Sequence, residues 1–190
     1  NTPLLMPMPG GKHDLIVPIM GKILSFNPDN GESLWKCDTG IAWYMCPSPV
    51  AHEGIVYCIG GRSGGGLAIR AGGRGDVSNS HVLWKLTKGS NVSSPIYYEG
   101  HVYFAHENLG VLYCVDAKSG SSKYEERLSP SSGQIYASPI LAGGNLYYVS
   151  RNGHTFVVPA KPSFEILAHN EPLERGMFNA SPAVAGKRLL

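Results

Sequence analysis

The chain has 190 residues, 24 of them glycine and 14 proline, with 16% charged side chains and a formal net charge of +2. That length suits one domain with a real core. The glycine and proline content excludes long helices and coiled coils, and the 43% hydrophobic content excludes disorder. So small a charge supplies no basic field for nucleic acid, and apolar runs of about six residues are too short for a transmembrane helix.

In chain order, a Ser/Thr-Pro dipeptide recurs at Thr2-Pro3, Ser48-Pro49, Ser94-Pro95, Ser138-Pro139 and Ser181-Pro182. The steps between prolines are 46, 46, 44 and 43 residues. After each proline a short apolar stretch leads to a glycine turn and a strand, as in Pro49–Tyr57, Pro95–Tyr103 and Pro139–Tyr147. A second glycine turn opens a third strand, as in Gly21–Phe26 and Gly110–Val115. A turn carrying Asp and Gly follows, Asp29 with Gly31 in the first unit and Asp116 with Gly120 in the third. There the Asp can bond the backbone ahead of it and the Gly supplies a positive φ. A fourth strand then carries Trp35, Trp84 or Tyr124.

Four short antiparallel strands in about 44 residues make a propeller blade. The predicted fold is therefore all-β, with four four-stranded blades over 1–46, 47–92, 93–136 and 137–180, and 181–190 adding the inner strand of a fifth. Ile55–Ile59 and Val111–Val115 are apolar at both parities. Such strands need cover on both faces, and stacked blades provide it. Trp35 and Trp84 are read as packing residues, mostly buried between adjacent blades.

The repeat resembles the quinoprotein-like (PQQ-like) β-propellers, whose blades end in a docking motif of Asp, Gly and Trp. The motif stands here as Asp29, Gly31 and Trp35, and again as Asp116, Gly120 and Tyr124, with Tyr in place of Trp. The nearest likeness is to scaffold-type members, such as the outer-membrane assembly lipoprotein B propeller and the extracellular propellers of some bacterial receptor kinases. Rings of that family have seven or eight blades, so this chain looks like a partial ring. The resemblance implies either a longer polypeptide or pairing with a second copy.

Motifs for chemistry are sparse. Gly61-Arg62-Ser63-Gly64-Gly65 spells a nucleophile elbow, but that motif needs a following helix and no helical pattern is present. Arg62, Arg70 and Arg74 fall in one glycine-rich insertion of the second unit, where guanidinium groups and exposed N–H groups suit an anion or an acidic partner segment. Trp43-Tyr44 could stack a flat ligand or pack at a blade rim. The seven histidines include no i, i+2 pair and no carboxylate cluster beside one, so no metal site is expected. Cys37, Cys46, Cys58 and Cys114 form no C-x-x-C and read as small buried apolar side chains.

The function expected is a non-enzymatic scaffold that binds protein partners in a bacterial periplasmic or extracellular compartment. No catalytic or cofactor residue is assigned, and neither nucleic-acid binding nor membrane insertion is expected. Two alternatives stand beside it. One is a ligand-sensing propeller domain of a larger receptor. The other is a PQQ-dependent oxidoreductase, which would need a calcium-bound quinone, a stacking Trp and an Asp base.

Overall fold

A computed structural model describes residues 1–62, 64–172, 174–186 and 188–190. Among the described residues the helical content is one 3-10 turn at Pro9–Gly11, and everything else regular is strand. The first sheet holds β1 (Leu4–Met8), β2 (Lys12–Ile19), β3 (Lys22–Phe26) and β4 (Ser33–Asp38). The second holds β5 (Val50–His52), β6 (Ile55–Ile59), β7 (Gly66–Arg70) and β9 (Val82–Leu86). The third is β10 (Ile96–Tyr98), β11 (His101–His106), β12 (Val111–Asp116) and β13 (Ser122–Arg127). The fourth is β14 (Ile140–Ala142), β15 (Asn145–Val149), β16 (Thr155–Pro159) and β17 (Ala168–Asn170).

The chain is thus all-β and built of antiparallel propeller blades, with two departures from the sequence expectation. The first sheet has a fifth strand, because β8 (Gly75–Asp76) of the second unit's insertion pairs in parallel with β4. The pairing covers part of the open outer edge of β4, which would otherwise present unpaired backbone groups. Val77 is buried beside it, Asp38 N–H donates to Ser78 Oγ, and Lys36 pairs with Asp76 at 3.5 Å. The Ser78 hydroxyl and N–H also bond the Asp76 carboxylate and hold its pKa below the usual range. Residues 181–190, expected as one strand, carry a two-stranded hairpin of β18 (Val184–Ala185) and β19 (Arg188–Leu189).

Local sequence explains the tight hairpins. Glu53-Gly54, Glu99-Gly100 and Gly143-Gly144 each put two consecutive residues at positive φ, the geometry of the two-residue turn that matches strand twist. The strands apolar at both parities are buried throughout their centres: Val56–Ile59 and Val111–Val115 are inaccessible on both faces.

The fold divides into two compact units, Asn1–Asn91 with Lys118–Gly120, and Val92–Ala117 with Ser121–Leu190. The core of the first is formed by Met6, Ile16, Ile23, Trp35, Val56, Leu67 and Ile69. That of the second is formed by Tyr103, Leu112, Leu146, Tyr148, Phe156 and Val158. The Ser/Thr-Pro dipeptides have a shared bonding role in both. Thr2 N–H donates to Ser48 Oγ at 2.8 Å, Ser94 N–H to Ser138 Oγ at 3.0 Å, and Ser138 N–H to Ser181 Oγ at 2.9 Å.

Candidate functional site

The docking residues fix the frame. Trp35 is 1% exposed and its indole Nε1–H donates to the buried Asp14 carboxylate at 2.7 Å. Gly31 lies in an exposed turn at φ +74, with nothing within 4 Å of where a Cβ would stand. In that turn the side-chain acceptors are Asn27 and Asn30: Asp29 N–H donates to Asn27 Oδ1 and Glu32 N–H to Asn30 Oδ1, while Gly31 N–H donates to Asn27 O. Asn27 N–H bonds Glu32 O as Asp116 N–H bonds Ser121 O. Asn27 is therefore the structural counterpart of Asp116, and the motif in the first unit starts two residues earlier than Asp29.

Gly120 is used differently. It has φ +72, and an added Cβ would lie 2.8–3.1 Å from Cδ2, Cγ and Cε3 of Trp84. Trp84 is half-buried, with the Gly120 turn lying against its indole. Its ring also sits 6.0 Å from Tyr57. Tyr124 is buried and packs 5.5 Å from Phe164.

The three arginines do not share a loop. Gly66-Leu67-Ala68-Ile69 is buried and forms most of β7, so Arg62 precedes that strand while Arg70 ends it and Arg74 follows. Four residue steps of strand separate the ends of β7 by about 13 Å. Arg74 donates to Gly73 O, and Arg74-Gly75-Asp76 is tied into the first sheet. Ser63 lies outside the described residues. No α-helix follows that segment among the described residues, as β7 starts at Gly66.

The glycines around Arg62 permit close packing rather than looseness. A Cβ on Gly60 would meet Met45 Cγ at 2.9 Å, one on Gly61 Ile41 Cγ2 at 2.8 Å, and one on Gly89 the Gly65 backbone at 2.3 Å. Gly61 N–H donates to Tyr44 O at 2.8 Å. The connecting segment 39–49 is thereby clamped: Ile41 and Met45 are buried in the core, while Trp43 and Tyr44 between them are 50% and 60% exposed. Trp43 has φ +69, a conformation costly for a bulky residue. Its ring lies 6.3 Å from Tyr44, and the Arg62 guanidinium is 5.6 Å from its centroid, within cation–π range. Sequence reasoning noticed Trp43-Tyr44 but could not see that buried neighbours on both sides push the pair outward.

Three of the four cysteines are buried and Cys46 is exposed, a correction to the uniform burial expected. Burial pushes the Cys114 thiol up to about 12 and Cys58 higher still. Desolvation likewise raises Tyr103, Tyr124 and Tyr148 far above the ordinary phenol range.

The structure also brings together two histidines that lie 15 residues apart in the chain. His154, His169 and Glu171 come together with their ligand atoms all within 4.8 Å of one another. His169-x-Glu171 is an i, i+2 pair visible in the sequence, whereas the third member depends on strand register. A calcium-bound quinone does not fit these residues. Among the described residues this is the one cluster of three metal-type donors, and two imidazole nitrogens are poor calcium ligands. Trp35, the tryptophan beside a buried carboxylate, is enclosed in the core.

Comparison with known proteins agrees with the blade architecture. BamB from Moraxella catarrhalis is 14% identical, with a TM-score of 0.69 over 97% of this chain and 55% of its own. Saccharomyces cerevisiae Sqt1 is 14% identical, with a TM-score of 0.71 over 92% of this chain and 49% of its own. The Bos taurus TBC1 domain family member 31 is 34% identical over 70 residues, 37% of this chain and 6% of that protein. The chain spans about half the length of the solved structures it matches. The family described as outer membrane protein assembly factor BamB matches residues 11–161, and the chain belongs to that family.

Proposed function

We propose that this chain is a propeller scaffold that binds a protein partner through the surface carrying Trp43, Tyr44 and Arg62, in a bacterial periplasmic or extracellular compartment. The observation that carries the reading is the outward display of two aromatic rings by a segment whose flanking residues, Ile41 and Met45, are locked in the core. Trp, Tyr and Arg are the side chains enriched at binding hot spots, and a pre-fixed loop loses little entropy on binding. The family's description as an outer membrane protein assembly factor supports both the scaffold role and the compartment.

Completion of the propeller by further polypeptide, or by a second copy, belongs to the same proposal. The first sheet supports it: Leu5, Leu15, Val17, Leu24 and Phe26 are joined by strand register and are not fully buried, an apolar face suited to cover.

The test places a photocrosslinking residue at position 44 and, separately, at position 12, another exposed site. A discrete protein adduct from position 44, absent from position 12 and lost on Trp43→Ala or Arg62→Ala, is the expected result. Equal adducts from both positions, or adducts indifferent to those substitutions, would overturn the reading.

A further inference from the structure

We infer that His154, His169 and Glu171 form a zinc-type binding site at one end of the fourth sheet, with three protein ligands and a fourth position open to a cleft. Strand register brings the donors together. Thr155 pairs with Asn170 and Phe156 with His169, so the next opposed positions are His154 and Glu171. His169 and Glu171 are two apart and point to the same side of the strand. His169 lies on β17, Glu171 one residue past its end and His154 one residue before β16, so the three donors converge where the two strands end.

The donors approach metal-ligand spacing, the two histidine nitrogens most closely and the carboxylate with a small movement still to make. His154 Nδ1 is 3.1 Å from His169 Nε2 and 3.5 Å from Glu171 Oε2, and His169 Nε2 is 4.0 Å from Glu171 Oε1. Tetrahedral zinc, with bonds of about 2.0–2.1 Å, holds its ligand atoms about 3.3 Å apart. The ring centroids of the two histidines are 5.2 Å apart, so the rings meet nitrogen to nitrogen rather than face on face. His169 is held in that orientation by Phe156, whose fully buried ring stacks on it at 4.6 Å and 22°.

Donor chemistry narrows the ion. Two imidazole nitrogens and one carboxylate select zinc or a neighbouring transition metal over calcium or magnesium. Without a metal one facing nitrogen donates to the other in an N–H···N bond; a divalent cation would take both lone pairs, each neutral ring then carrying its proton on its other nitrogen. The half-buried histidines and the exposed Glu171 leave the site open on one side. That side is a cleft of about 760 Å³ whose lining includes Thr155, Asn170, Glu174 and Phe178. Three protein ligands with an open fourth position leave room for water or an incoming donor group.

The experiment is zinc titration of the metal-stripped 190-residue chain, with bound metal counted after gel filtration and cobalt as an optical probe. One zinc per chain is expected, together with the visible absorption of tetrahedral cobalt bearing nitrogen ligands. His154→Gln and Glu171→Gln should each weaken zinc binding at least about tenfold, while His13→Gln, at an exposed residue of β2, should leave it unchanged. Glu171 is 73% exposed, so its replacement tests the site without threatening the fold. No stoichiometric zinc in the parent chain, or affinity unchanged in Glu171→Gln and His154→Gln alike, would overturn the inference and leave a histidine–histidine hydrogen bond.

Discussion

Replacing Gly120 by alanine separates docking from turn geometry, because Gly31 supplies a matched control. Both glycines have nearly the same left-handed φ, +72 and +74. An L-residue there costs about 1–2 kcal/mol at either site. At Gly31 the new methyl meets nothing, whereas at Gly120 it lies 2.8–3.1 Å from three indole atoms of Trp84. Overpacking of that kind adds about 1–3 kcal/mol. Gly120→Ala should therefore destabilise by about 2–5 kcal/mol and Gly31→Ala by about 1–2 kcal/mol. With an m-value of ~2 kcal/mol/M, the urea midpoint falls about 1–2.5 M in the first case and about 0.5–1 M in the second. Fluorescence-monitored urea unfolding reads both. Repeating Gly120→Ala in a Trp84→Ala background should reduce its cost to the backbone term alone, since contacting residues couple. Equal losses at the two glycines, or an unchanged Gly120→Ala cost when Trp84 is absent, would refute the docking argument.

Trp35→Phe keeps the ring packing but strands the buried Asp14 carboxylate, so a loss of about 2–4 kcal/mol is expected by the same urea assay. A thiol reagent should find one reactive cysteine, Cys46, in the native chain and four after denaturation, because Cys37, Cys58 and Cys114 are buried. Stability should fall at alkaline pH. The Cys114 thiol ionises at about 12 when folded but near 9 when unfolded, so its contribution is full below about pH 9 and is lost as pH rises from there toward 12. Melting temperatures between pH 8 and 11 should show a shallower decline in Cys114→Ala. Trp43→Gly should raise stability by about 1 kcal/mol by relieving the φ of +69, while abolishing the crosslink from position 44.

The blade architecture was legible because each of its signals is local. The glycine turns and the strands apolar at both parities are read within a dozen residues, and the Ser/Thr-Pro dipeptide is a two-residue mark that only has to recur. What escaped was set by pairing across distance. The glycine-rich insertion read as a loop because Gly66–Ile69 is short. Its burial as β7 depends on pairing with β6 and β9, and the parallel seat of Gly75-Asp76 on β4 depends on a strand 40 residues upstream. The histidine cluster was missed for the same reason: His154 finds His169 only through the β16–β17 register. The exposure of Trp43 follows from Ile41 and Met45 on either side of it, a pattern of anchors that composition does not display.

The Ser/Thr-Pro contacts have a consequence for how such a chain can grow or shrink. Ser138 gives its N–H to Ser181 while its hydroxyl receives the N–H of Ser94, so the bond has a head and a tail. A head-to-tail contact carries no instruction about how many units should follow. A duplicated stretch of about 44 residues would arrive with an acceptor for the unit before it and a donor for the unit after it. A deleted stretch would leave ends that match each other. Gain or loss of a whole repeat is then a change of copy number rather than a redesign of the interface, and unequal crossing-over between repeats becomes a tolerated event.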